Sequence, residues 1–163
     1  MSKEIAMKLT NEMLDKKCEL VVFDSNEQKT ENERLAVKMF AMMRASNGIG
    51  LAANQVGINQ SIFVTFVDGK YKAYYNPKLL DWSEELITFE EGCLSFPNEY
   101  LNIERPKDCK VEWNDHKGNK NRNTLRGIEA RVWLHEYDHV NGIVFQQRLE
   151  NRDIPEELNY VKT

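Results

Sequence analysis

Residues 128–142 read IEARVWLHEYDHVNG, and this stretch organises the whole chain. Helix-compatible residues run without proline from Ile128 to Val140, and Gly142 can close the run in a left-handed cap, so a helix is predicted over about 128–140. Ile128, Val132, His135 and His139 recur three and four apart and form one stripe, which is expected to face the interior. Inside it lies His135-Glu136-Tyr137-Asp138-His139, an H-E-x-x-H pattern. Positions four apart share one side of a helix, so both imidazoles can reach a single metal ion. Glu136, next to the first imidazole, can take a proton from a water on that ion.

Upstream, an earlier helix is predicted over about Glu27–Ser46. Asp24, Ser25 and Asn26 offer N-caps, Leu35, Met39, Met42 and Met43 recur at helical spacing, and Asn47-Gly48 can close it. A helical turn is expected around 11–17. Ser61–Val67 reads as a strand, Asp68-Gly69 as a hairpin turn and Lys70–Tyr75 as the return strand. Leu86–Phe89 and Lys110–Trp113 are further strands, with a turn at 114–119. This order fits an α+β fold, one compact domain over residues 1–163 with mostly antiparallel strands around the H-E-x-x-H helix.

The bulk properties agree with one globular unit. The chain has 163 residues, 41% of them apolar and 29% charged, a balance ordinary for soluble proteins. No apolar run reaches transmembrane length, and the charged residues among positions 1–20 do not read as a secretory signal, so a cytoplasmic location is expected and a membrane partner is not. A net charge of -4 argues against direct nucleic-acid binding. Three cysteines suggest no disulfide framework and leave room for one functional thiolate. His116 is expected to be solvated in its turn, and Trp82, Trp113 and Trp133 to be packing residues.

Two imidazoles do not complete a metal site. No histidine follows His139, and Glu150, Glu156 and Glu157 lie in a polar tail where no helix is evident. Cys93 lies in Glu91-Gly92-Cys93-Leu94-Ser95, between strand-like segments, and a thiolate suits zinc or ferrous iron; a small buried hydrophobe is the alternative reading of the same residue.

Three segments together resemble the signature motifs of the peptide deformylase family: Gly48-Ile49-Gly50-Leu51-Ala52-Ala53-Asn54-Gln55, Glu91-Gly92-Cys93-Leu94-Ser95, and His135-Glu136-Tyr137-Asp138-His139. The resemblance spans about Thr10–Leu149. It implies a hydrolase that removes the formyl group from the N-terminal formylmethionine of nascent polypeptides and releases formate. Cys93, His135 and His139 would hold one divalent ion, ferrous in the cell, with zinc, nickel or cobalt possible in purified protein. The ion would make hydroxide available near neutral pH, with Glu136 as general base and then acid. The Gln55 amide and the Leu94 backbone N–H would stabilise the oxyanion, and Gly50 would align the substrate through its main chain. Ile49, Phe89, Ile128 and Val132 would line the methionine pocket, with Glu91 at its edge; for Ile128 and Phe89 plain core is an equal alternative. The resemblance also places Arg105 after the cysteine motif, and pairing with Asp138 is predicted, because an interior carboxylate needs a cation.

The chain departs from the family pattern at three places. Asn54 stands where many members have proline, which is expected to alter a loop rather than the chemistry. Tyr100 stands where some bacterial members have arginine near the substrate. The tail after Leu149 is short and polar where many bacterial members carry a basic helix for docking on the ribosome. Only transient ribosome contact is therefore expected, from a monomer, and a phage or organellar origin would place it in host cytoplasm or an organelle. Two other readings compete: a small H-E-x-x-H zinc peptidase, which has no use for Cys93 or Gln55 at these places, and a non-catalytic nascent-chain-binding homologue, which would be expected to have lost a ligand or the base.

Overall fold

The structure is a computed structural model and describes residues 7–161. Helix α1 spans Asn26–Ala45. Ser25 caps it by accepting from the Gln28 N–H at 3.0 Å. Asn47 takes the left-handed position after its end, and the Gly48 N–H reaches back to the Met43 carbonyl at 2.8 Å. Ala36, Met39 and Met43 are its buried apolar residues, and they pack on Leu51, Ile62 and Val64.

Seven strands follow: β1 (Gly50–Ala52), β2 (Ile62–Val67), β3 (Lys70–Trp82), β4 (Leu86–Cys93), β5 (Phe96–Pro106), β6 (Asp108–Asn114) and β7 (Lys120–Arg126). They form a five-stranded antiparallel sheet in the order β1-β2-β3-β6-β7 and a separate ribbon of β4 with β5. Asp68 and Gly69 both adopt positive φ at the β2–β3 turn, as a tight hairpin requires. Strand β3 runs seven residues past its expected end at Tyr75. Asn76 and Pro77 read as a break, but left-handed Asn76 makes a bulge, its side chain accepts from the Val21 N–H at 2.7 Å, and the ladder resumes at Lys78.

Helix α2 (Gly127–Val140) lies across the five-stranded sheet, with Trp133, Leu134, Tyr137 and Val140 packed on Phe63, Tyr74, Val111 and Leu125. Every residue from Ala130 to Val140 is buried, so the helix has no solvent face. Ile128 is the exception in the predicted stripe: it is 43% exposed, because the stripe emerges from the core at its N-terminal end. A short α3 (Phe145–Glu150) follows.

Residues 11–17 form bends and turns rather than a helix; they end where Lys17 pairs with Asn141 and the Cys18 N–H donates to the Val140 carbonyl at 2.8 Å. His116 is half-buried and 2.9 Å from Glu33, not simply solvated. Trp133 is fully buried, and Trp82 and Trp113 pack against the same core. Among the described residues, no helix is long and apolar enough to cross a membrane.

Candidate metal centre and catalytic cleft

Cys93 ends β4, Leu94 and Ser95 make the turn into β5, and His135 and His139 sit one turn apart on α2. The ribbon is laid beside α2, so one ligand atom from each of Cys93, His135 and His139 falls within 4.8 Å of the others. Cys93 Sγ is 3.3 Å from His139 Nε2. A tetrahedral site, with metal–sulfur bonds near ~2.3 Å and metal–nitrogen bonds near ~2.0–2.1 Å, puts neighbouring ligand atoms roughly 3.3–3.6 Å apart. The donor set therefore fits one divalent ion in chemistry, and the Cys93–His139 pair fits it in spacing.

Glu91 is the hub that holds the first imidazole. Its Oε1 lies 2.8 Å from His135 Nδ1, which leaves Nε2 for the metal side. Arg105 grips the same carboxylate through Nε at 2.6 Å and Nη2 at 3.0 Å, and Arg131 adds a contact at 2.7 Å. Arg105 then donates from Nη1 to Asp138 at 2.8 Å, so one fully buried guanidinium joins the cysteine-bearing ribbon to the ligand-bearing helix. Arg148 of α3 closes the far side of Asp138 with contacts of 2.9 and 2.7 Å. It also donates to the Leu158 carbonyl and stacks on Tyr160, so the polar tail folds back over the network.

The electrostatics follow from this packing. Burial would raise the Glu91 carboxyl, yet Arg105 beside it and then His135 hold it well below the usual carboxylate range. Burial would lower His135, but the Glu136 carboxylate and the contacts with Cys93 and Glu91 hold it well above the ordinary histidine range. His139 is pulled down to about 3 by burial and then by His135, which keeps that imidazole neutral. Burial pushes Glu136 up to about 7, against the opposing pull of His135.

A cleft of about 560 Å³ leads to these groups, and Gly50, Gln55, Cys93, Leu94, His135 and Glu136 all line it. The orientation of the Gln55 amide is decided on both sides. Its Oε1 accepts from the Ala52 N–H at 2.8 Å, and its Nε2 donates to the Ser95 hydroxyl at 2.9 Å and faces Cys93 Sγ at 3.7 Å. Gly50 is glycine for a reason the sequence does not carry: a Cβ there would sit 2.8 Å from Cδ of Glu136 and closer still to Oε2. Glu136 Oε1 is buried without a hydrogen-bond partner among the described residues.

At the mouth, Ile49, Phe89 and Ile128 are 47%, 52% and 43% exposed, whereas Val132 is buried deeper in. Tyr100 stands on the rim against Gly92. Ser95, Arg131, Arg148 and Tyr160 were not singled out for roles at this centre by motif. Tyr160 lies in the segment that reads as a polar tail and Arg148 just before it, and no periodicity marks either. Ser95 lies within the cysteine motif, which was the one signal available.

The polypeptide deformylase family model matches residues 3–154. A peptide deformylase of Treponema pallidum (strain Nichols) is 42% identical over 114 residues, covering 70% of this chain and 70% of its own length. One from Thermotoga petrophila is 42% identical over 127 residues, covering 78% and 74%. Among solved structures, the peptide deformylase of Thermotoga maritima superposes with a TM-score of 0.83 at 35% identity, covering 89% of this chain and 98% of that one. A probable peptide deformylase from Synechococcus phage S-SSM7 gives 0.80 at 38% identity, covering 87% and 99%.

Proposed function

This chain belongs to the polypeptide deformylase family, and from that premise we propose how its own residues remove a formyl group from the N-terminal formylmethionine of a polypeptide. The convergence of Cys93, His135 and His139 on one point, beside a buried carboxylate, carries the reading. These three side chains would hold one divalent ion, ferrous iron in the cell, which when bound acidifies water and polarises the formyl carbonyl.

Glu136 takes the water proton at its carboxylate and returns it to the departing amine. Burial favours its neutral form, which eases both the uptake and the return of that proton. As the formyl carbon becomes tetrahedral, charge gathers on its oxygen. Gln55 Nε2, pinned by Ser95 and by the Ala52 N–H acting on its other end, donates to that oxygen without first reorienting. The Leu94 N–H at the β4–β5 turn is the second donor. The Gly50 main chain aligns the substrate backbone, and Val132 with Ile128, Phe89 and Ile49 takes the methionine side chain. Glu91 acts one layer back: with Arg105 and Asp138 it orients His135.

The direct test loads the protein with iron under low oxygen and measures formate released from a formyl-Met peptide. Equimolar formate and free peptide are expected. Cleavage at internal peptide bonds instead would identify a peptidase, and binding of the peptide without turnover would identify a non-catalytic homologue.

A further inference from the structure

The two metal-facing histidines differ in what holds them. His135 Nδ1 meets Glu91 at 2.8 Å, whereas His139 Nδ1 is buried with no hydrogen-bond partner among the described residues. A second orphan belongs to the residue that already touches His139: Asn54, fully buried in the 3₁₀ turn 53–56, has no partner for Oδ1 among the described residues. Its other amide atom, Nδ2, donates to the His139 carbonyl.

The chemistry of the two orphans is complementary. When Nε2, which faces Cys93, binds the ion, the ring proton resides on Nδ1, which is then a buried donor that needs an acceptor. Asn54 Oδ1 is a buried acceptor that needs a donor. Ligating imidazoles almost always give their second N–H to such a group, which fixes both tautomer and ring plane. Glu91 does this for His135. A second carboxylate at His139 would add to Asp138 and Glu91, which already act electrostatically on that ring, so a neutral amide is the compatible choice.

We propose that Asn54 is the positioning residue of His139, clamping it at two points: Nδ2 on the backbone carbonyl and Oδ1 on the imidazole Nδ1–H. The second contact closes when Nε2 is engaged. It makes the turn that carries Gln55 and the end of α2 one mechanical unit, so the oxyanion donor and the last ligand are set together. The inference rests on the assignment of His139 as a ligand.

The test uses zinc-loaded protein labelled with ¹⁵N at histidine, read by imidazole NMR and by zinc loss to a chelator. In the wild type, His139 should be metallated at Nε2, with a slowly exchanging Nδ1–H. Asn54→Leu, similar in size but without donor or acceptor, should release zinc about 10–100-fold faster. It should also expose the His139 Nδ1–H to exchange while leaving the His135 signals in place. Asn54→Asp keeps an acceptor for the Nδ1–H but loses the donor to the His139 carbonyl, so it should retain the protected Nδ1–H while releasing zinc faster than wild type. Unchanged zinc release and Nδ1–H protection in Asn54→Leu would overturn the proposal. If that variant does not fold, the wild-type spectrum still decides, since a freely exchanging His139 Nδ1–H contradicts the clamp. A wild type that binds no zinc through His139 overturns the ligand assignment itself, a result distinct from an intact centre indifferent to Asn54.

Discussion

Helices α1 and α2 both pack on the five-stranded sheet, yet they are stabilised in opposite ways. Helix α1 buries a narrow stripe, Ala36, Met39 and Met43 with Asn32, and leaves its charged residues in water. Its Arg34–Glu31 pair is more than 60% exposed on each side. Helix α2 is buried all round from Ala130 to Val140 and carries Arg131, His135, Glu136, Asp138 and His139 into the core. Burial of apolar area suffices for the first. The second requires that nearly every buried charge find a partner, and Glu91, Arg105 and Arg148 are those partners. Glu136, the proposed base, has a 4.0 Å approach to His135 Nε2 and, among the described residues, no hydrogen-bond partner on Oε1.

The contrast is tested most severely at that group. Glu136→Gln should lower kcat by roughly 10²–10⁴ with metal content unchanged, because the amide keeps the shape but cannot accept a proton. Near-normal turnover would remove Glu136 from the mechanism. In the wild type, kcat/KM should fall on the acid side as the carboxylate takes up a proton. Its folded-state pKa of about 7 is the upper limit of that limb, since a bound cation lowers it. An acid limb with its midpoint above pH 7 would contradict that limit.

Arg105→Ala comes next. It strips contacts from two buried carboxylates at once and should cost about 3–5 kcal/mol, toward the low end because Arg131 still holds Glu91 and Arg148 still holds Asp138. Chemical denaturation measures the loss, and metal retention should fall with it. The network also sets the acid stability. Glu91 and Asp138 have folded pKa values below their ordinary 4.5 and 3.8. Their contribution is therefore complete above about pH 4.5 and is lost as pH falls through the folded values. The thermal midpoint should decline only below about pH 4.5, and less steeply in Arg105→Ala.

On α1 the sensitive position is apolar. Met39→Ala, at a site with no exposure, should cost about 3 kcal/mol by leaving a cavity, with little effect on metal content. Loss of metal in step with stability would erase the distinction between the helices. The smallest change is expected at the surface pair: Glu31→Gln should alter stability by less than about 0.5 kcal/mol. A larger loss would mean that α1 too depends on its charges.

The same contrast explains what could be read in advance. Helix α1 followed from caps and periodicity to within one residue at each end. Strands β5 and β7 did not: β5 contains Pro97, Asn98 and Pro106, and β7 is largely polar, so neither shows the alternation of a half-buried strand. Both form because a neighbour supplies the ladder, β4 for one and β6 for the other. Asn54, expected to affect a loop rather than the chemistry, is instead buried against His139. That contact joins residues 85 positions apart, beyond any local pattern.

Sequence by itself determined the H-E-x-x-H spacing along α2 and the Asp68-Gly69 hairpin, because each depends on residues within a few positions of one another. Tertiary structure alone decided that Glu91 orients His135 rather than merely edging a pocket, and that Gly50 makes room for Glu136. It also decided that Ser95 aims Gln55 and that Tyr160 brings the tail onto Arg148. These depend on which distant side chains share a dry interior. There, an unmet charge or hydrogen bond is costly enough to select its partner, and only the packed fold brings that partner within reach.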